Sequence, residues 1–109
     1  MHLVQILMPI VGPPGDFKAV LTEIESALTE MFGGVTSYAR APARGLWQDR
    51  SAAHERDDII VVEVMVAALD RPWWQAFRGV LERLLDQEQL VIRAIPLDAI
   101  DLPVRAPAA

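Results

Sequence analysis

The fold is decided by the stretch Asp58-Ile59-Ile60-Val61-Val62-Glu63-Val64-Met65-Val66-Ala67. Apolar and β-branched side chains dominate it, a composition that is enriched in strands. Glu63 interrupts the apolar run, which is also far too short to span a bilayer. The stretch therefore predicts the strongest strand of the chain, at the centre of a sheet.

Upstream of this strand, the pattern predicts a strand and then a helix. Residues 3–11 are apolar and partly β-branched, and a turn sequence follows them. Over residues 17–31, apolar side chains recur at three- and four-residue spacing, which is typical of an amphipathic helix. We expect Asp16 to be its N-cap and the pair Gly33-Gly34 to end it.

Between that helix and the central strand lies a stretch of mixed polarity. Residues 35–40 predict a second strand, and Pro42 places any continuation to residues 46–47 at a sheet edge, because proline cannot donate to the ladder. Residues 49–57 are polar and charged, which is typical of a hairpin loop.

Downstream, the pattern predicts a second helix and a last strand. Asp70 and Pro72 mark the start of the helix, and a wide apolar stripe follows from Trp73 onward. Residues 90–95 form the strand, which Pro96 stops.

The order strand, helix, strand, strand, helix, strand is that of the ferredoxin-like βαββαβ arrangement. The predicted fold class is α+β: a four-stranded antiparallel sheet with two helices on one face, since the crossovers are right-handed. The first and third strands, which are the most apolar, would be central. We assign residues 1–102 to this single domain and residues 103–109, rich in proline and alanine, to a flexible C-terminal tail.

Composition narrows the classes of partner. The chain has 109 residues, of which 52% are hydrophobic, and a net charge of -5. A net negative charge disfavours nucleic acid and anionic membranes as partners. The absence of cysteine excludes disulfides and thiolate chemistry and is compatible with the cytoplasm, where we expect the protein, since the N-terminal residues lack the pattern of a signal peptide.

Side-chain alternation along the strands assigns two faces to the sheet. One face is purely apolar and belongs under the helices. The opposite face, called the open face below, carries Gln5, Glu63 and Arg93 near the middle of three strands. Tyr38, Arg40 or Arg44 would continue this line on the second strand.

The remaining side chains of the open face are more apolar than a water-facing sheet should be. A contiguous exposed apolar patch usually marks an interface. We therefore expect a homodimer in which two open faces pack sheet on sheet about a two-fold axis. The alternative, which stays open here, is that the loop 49–57 or the C-terminal tail covers this face within one chain.

Glu63 is the first candidate for chemistry. A carboxylate in an apolar face needs a partner. Left unpaired, Glu63 would be a candidate general base. Bridged to an arginine, it would be part of a polar ladder that specifies register or dimer geometry, which is the favoured interpretation.

The hairpin loop supplies the other candidates. His54 is a second candidate base, but Ser51, His54 and Asp57 lack the context of a nucleophile elbow. Two histidines in the whole chain predict no dedicated metal site. Arg44 could anchor an anionic group and Trp47 could cover an apolar ligand, so both are candidate ligand contacts together with Gln5, Tyr38 and Arg93.

Two resemblances add to this interpretation. The runs at residues 32–36 (FGGVT), 41–47 (APARGLW), 63–65 (EVM), 73–74 (WW) and 87–88 (QE) resemble a family of small bacterial proteins of uncharacterised function. That resemblance spans nearly the whole chain and implies one compact domain, but no activity. At the level of fold, the sequence resembles the dimeric α+β barrels, which include small monooxygenases, lactone isomerases and chlorite-dismutase relatives. Haem-binding members would need an axial histidine, for which His2 and His54 are poor candidates, so we expect no cofactor.

Two functions remain in competition. The first is a homodimeric ligand-binding or regulatory module, which needs only the apolar open face and its polar line. The second is a cofactor-independent enzyme of the dimeric-barrel type acting on a small organic molecule, with Glu63 or His54 as base and Arg93 or Arg44 holding an anion.

Overall fold

A computed structural model of the chain describes residues 1–40 and 59–100. In chain order, these residues form β1 (His2–Pro9), α1 (Pro14–Phe32), β2 (Thr36–Arg40), β3 (Ile59–Val66), α2 (Arg71–Leu84) and β4 (Val91–Pro96). The predicted order of elements is confirmed. The predicted continuation to residues 46–47, the loop 49–57 and the tail 103–109 lie outside the described residues. Neither α1 nor α2, the helices of the described ranges, has the length and apolar character needed to cross a membrane.

The strands form one antiparallel sheet in the order β2-β3-β1-β4. The apolar strands β1 and β3 are central, and β2 and β4 are edges, as the sequence predicts. This layout is the α+β, ferredoxin-like arrangement. In the register, Gln5 of β1 lies opposite both Glu63 of β3 and Arg93 of β4, so the three residues stand on one line across the sheet.

Both helices pack on the same face of the sheet and form the core with it. The buried cluster consists of Val4, Ile6, Met8, Phe17, Ile24, Leu28, Val62, Val64, Val66, Trp74, Leu81, Leu85 and Leu90. Each fully buried aliphatic side chain of this kind stabilises the fold by about 1.5–3 kcal/mol relative to exposure. The assignment of the purely apolar strand residues to the helix face is therefore confirmed.

The start of α1 corrects one prediction. Its N-cap is Pro13, without a side-chain hydrogen bond, and the helix begins at Pro14, two residues before the predicted cap Asp16. Proline suits the first helical position, because its φ is already helical and it has no N–H to satisfy. Asp16 instead lies in the first turn, where a carboxylate interacts favourably with the helix dipole.

The ends of the other elements have equally local causes. α1 ends at Gly33, which adopts φ of 89° and whose N–H donates to the Thr29 carbonyl at 2.7 Å. β1 ends at Pro9 rather than at residue 11. β4 begins one residue after the predicted Leu90, because the Leu90 N–H donates to the Glu82 carboxylate at 2.9 Å and not to the ladder.

Four aromatic rings join the end of α1 to the start of α2. Asp70 caps α2 as predicted, accepting the Trp73 N–H at 3.2 Å. Phe32 stacks on Trp74 with ring centroids 5.3 Å apart and meets Trp73 edge-on at the same distance. Phe77 stacks on Trp73 in turn. This packing joins the end of α1 to the start of α2, the helix that lines the groove described below.

Candidate functional site

A hydrogen-bonded line of polar side chains crosses the middle of the open face. The guanidinium of Arg93 donates from Nε to Gln5 Oε1 at 2.7 Å. Gln5 Nε2 then donates to Glu63 Oε2 at 2.6 Å. The neutral amide thus connects a cation on edge strand β4 to a carboxylate on central strand β3.

Tyr38 extends this line to the opposite edge of the sheet. Its hydroxyl donates to the same Glu63 Oε2 at 2.8 Å. In the register Tyr38 lies opposite Val61, so it reaches Glu63 diagonally, a distance that an aromatic side chain spans. The four residues Arg93, Gln5, Glu63 and Tyr38 are called the polar row below.

Counting the described residues alone, Glu63 and Arg93 each have hydrogen-bonding groups without a partner. Both donors reach the same oxygen of Glu63, and no hydrogen bond from the described part of the chain reaches Oε1. Arg93 uses only Nε, so its terminal Nη groups donate to no residue within the described ranges. An anion or a neutral acceptor at the Arg93 Nη groups, and a donor at Glu63 Oε1, would complete the hydrogen bonding of the polar row.

Two apolar rows flank the polar row on the open face. On one side Leu3 pairs with Met65 and Ile95, and on the other Leu7 pairs with Val61 and Val91. Met65, Val91 and Ile95 are 51%, 50% and 43% exposed. The predicted apolar character of the open face is therefore present in the structure: it is exposed at Met65, Val91 and Ile95, whereas Val61 is buried at 1% exposure.

The structure brings together four of the residues singled out from the sequence: Gln5, Tyr38, Glu63 and Arg93. Glu63 is not unpaired, and among the described side chains Gln5 lies between it and Arg93, so these two make no direct bridge. The candidates Arg44, Trp47 and His54 lie outside the described residues. In residues 1–40 and 59–100, no three histidine, aspartate or glutamate side chains are grouped as metal ligands would be.

A second concave site, which the sequence analysis missed, lies between α2 and edge strand β4. It is a groove of about 220 Å³, and Arg71, Gln75 and Arg78 line it from the helix. Their spacing of four and three residues places them on one stripe of α2. That spacing and the strand β4 were both readable in the sequence, but the groove between α2 and β4 was not.

The chain was compared with models of protein families, with curated proteins and with solved structures, and no match was found in any of the three. The resemblance to a bacterial family therefore stays a prediction. The proposals that follow rest on the geometry of the polar row and of the groove.

Proposed function

We propose that this chain is a ligand-binding module that works as a two-fold homodimer, with the two open faces packed together. The observation that carries the proposal is the polar row: within residues 1–40 and 59–100, the Arg93 Nη groups at one end and Glu63 Oε1 near the other have no hydrogen-bond partner. In a two-fold interface the contacts are reciprocal: if one residue of the first copy meets a second residue of the other copy, the same pair also forms with the copies exchanged. Arg93 of each copy can then meet the carboxylate of the other.

The apolar rows support the same arrangement. Large apolar side chains that are about half exposed gain from burial, roughly 25 cal/mol for each Å² removed from water. Apolar strips on both sides of a polar line resemble the interior of a sheet-on-sheet interface. The charge pattern would set the orientation of the two sheets, and the apolar rows would supply the affinity.

The same surface has the composition of a small-molecule site. Such sites are mostly apolar, with a few polar groups that fix the orientation of the ligand. On the open face those groups are the Nη donors of Arg93 and the carboxylate of Glu63. A small organic molecule enclosed between the two copies would be held by them.

The enzyme alternative is less well supported by the geometry. It requires a substrate cavity against Glu63, and the groove of about 220 Å³ lies elsewhere and is not lined by that residue. One oxygen of the Glu63 carboxylate also already accepts hydrogen bonds from Gln5 and Tyr38.

The dimer is tested by exchanging the charges at the two ends of the row. We expect light scattering to give twice the mass of one chain for the wild type. Arg93→Glu and Glu63→Arg should each lower the mass toward one chain, and the double variant, which restores complementarity, should recover the dimer. Arg83→Glu and Glu88→Arg change exposed charges outside the sheet and serve as matched controls.

A wild-type mass of one chain at every concentration would exclude the dimer. Failure of the double variant to recover, with both single variants folded by circular dichroism, would exclude the charge pairing. For the ligand, a ligand-observed NMR screen of small organic molecules should give hits whose binding weakens in Glu63→Gln. Hits that bind this variant as tightly as the wild type would place the ligand away from the polar row.

A further inference from the structure

We propose that the groove between α2 and β4 binds a small organic anion, with its charged group held by Arg71 and Arg78 and its apolar part resting on the floor of the groove. This site lies on the helix side of the sheet, away from the proposed dimer interface. The proposal does not depend on the dimer, although Arg93 of the polar row also lines the groove from β4.

The groove lies between α2 and the edge strand β4, and residues of both elements line it. Ala94 of β4 lies opposite Val4 of β1 in the register, on the helix face. Its small side chain, with the half-buried Ile92, leaves space beneath the helix. Val4 and Trp74, both buried, also line the groove, so its floor is apolar.

The rim of the groove is polar and positively charged. Arg71, Gln75 and Arg78 follow one stripe of α2 along the groove, and Arg93 lines it from the strand. In a chain whose net charge is -5, Arg71 and Arg78 give the helix side of the groove a local positive charge, whereas the Arg93 guanidinium donates to Gln5 on the open face. A cationic rim above an apolar floor matches a ligand that has both an anionic group and an apolar body.

The neighbouring carboxylates leave most of this charge available. Glu82 Oε2 lies 3.8 Å from Arg78 Nε, a long contact, and the same oxygen accepts the Leu90 N–H. Asp70 caps the helix through the Trp73 N–H. Arg71 makes no ion pair with the described residues. Guanidinium groups bind carboxylate and phosphate oxygens in a bidentate geometry, so two of them can hold one anionic group.

The size of the groove limits the ligand. A volume of about 220 Å³ is below the roughly 300 Å³ at which sites for drug-sized ligands begin. The ligand is therefore smaller than a nucleotide. A short-chain or aromatic carboxylic acid has the required charge, apolar body and size.

Hexanoate is a suitable probe, and its two halves are the controls: 1-hexanol has the apolar chain without the charge, and acetate has the charge without the chain. In ¹H–¹⁵N NMR titrations of the full chain, hexanoate should give saturable shifts at the Ile92 and Ala94 amides and at the Gln75 side chain. It should bind about tenfold more tightly than either control, as expected for a site that uses both parts.

Arginine variants test which side chains hold the carboxylate of hexanoate. Arg71→Gln combined with Arg78→Gln should weaken hexanoate binding about tenfold, the scale of a lost charge-assisted contact. Arg83→Gln removes an exposed arginine of the same helix that does not line the groove, and should change the affinity less than about twofold. Because these arginines are exposed, all variants should fold, which circular dichroism verifies.

Ala94→Val tests whether the apolar part of the ligand rests on the floor of the groove, and it changes no charge. The larger side chain fills part of the groove and should weaken hexanoate binding while acetate binding stays the same. Shifts that do not saturate, hexanol binding as tight as that of hexanoate, or an equal loss in Arg83→Gln and in the double variant would each overturn the proposal.

Discussion

Gln5 lies directly opposite Glu63 in the β1–β3 ladder, and its amide donates a 2.6 Å hydrogen bond to that carboxylate. The other end of the same amide accepts from Arg93, so the orientation of Gln5 is fixed by a cation on one side and an anion on the other. Although Gln5 lies on the open face, it is 8% exposed and is the polar side chain buried among the described residues. A buried amide satisfied at both ends specifies the register of three strands.

Replacing Gln5 with methionine, which has a similar length, should lower the free energy of unfolding by about 1–3 kcal/mol. The cause is that Arg93 loses its hydrogen-bond acceptor and Glu63 loses one of two donors. Urea unfolding followed by circular dichroism measures the change. Gln89→Met replaces an exposed glutamine and should cost less than about 0.5 kcal/mol. Equal losses in the two variants would show that the row does not stabilise the fold.

Met65→Gln should weaken the proposed dimer about tenfold or more. Met65 is 51% exposed on the open face, and a two-fold interface contains each residue twice, so the loss of buried apolar surface is doubled. Sedimentation equilibrium gives the dissociation constant. The matched control is Met31→Gln, which changes a methionine of α1 that is 57% exposed. If both substitutions weaken association equally, the open face is not the interface.

The fold could be predicted because the sequences of β1 and β3 show both an overall apolar character and an alternation of side chains between two faces. Both strands are apolar enough to be central, and their alternation still separates a wholly apolar face from one that carries Gln5 or Glu63. The order of elements then leaves few topologies, and the ferredoxin-like one makes the more polar β2 an edge strand, as observed.

Other features depended on geometry that the sequence does not encode locally. Tyr38 lies opposite Val61, and only the β2–β3 register shows that it reaches Glu63. The groove depends on the position of α2 beside β4, which no local sequence pattern specifies. The helix start at Pro14 was missed because an acceptable capping residue, Asp16, stands close behind it.

Gly33→Ala should lower the free energy of unfolding by about 1 kcal/mol. Gly33 has φ of 89°, a conformation that costs an L-residue about 1–2 kcal/mol. No atom lies within 4 Å of an added Cβ, so the loss comes from the backbone alone. Gly34, whose φ is not positive, has equal space, and Gly34→Ala should be neutral or slightly stabilising. Thermal unfolding compares the two variants, and a greater loss at Gly34 would contradict this account of the helix end.

The contact between Phe32 and Trp74 should appear as a coupling energy between the two helices. Phe32→Leu and Trp74→Leu, made singly and together, should give a coupling of about 0.5–1.5 kcal/mol, because each single change already removes the stacked pair. Urea unfolding in sulfate, which strengthens apolar burial, keeps the variants folded at the start of each titration.

A second cycle pairs Trp74 with Phe17, a buried residue near the opposite end of α1. Fifteen helical residues separate it from Phe32, about 22 Å along the axis, so Phe17→Leu and Trp74→Leu should be additive within about 0.3–0.5 kcal/mol. Coupling in the first cycle alone would show that the aromatic contact holds α2 at its angle over β4, and so shapes the groove. Equal coupling in both cycles would instead mean that the core responds as a whole, and the groove would then depend on no single contact.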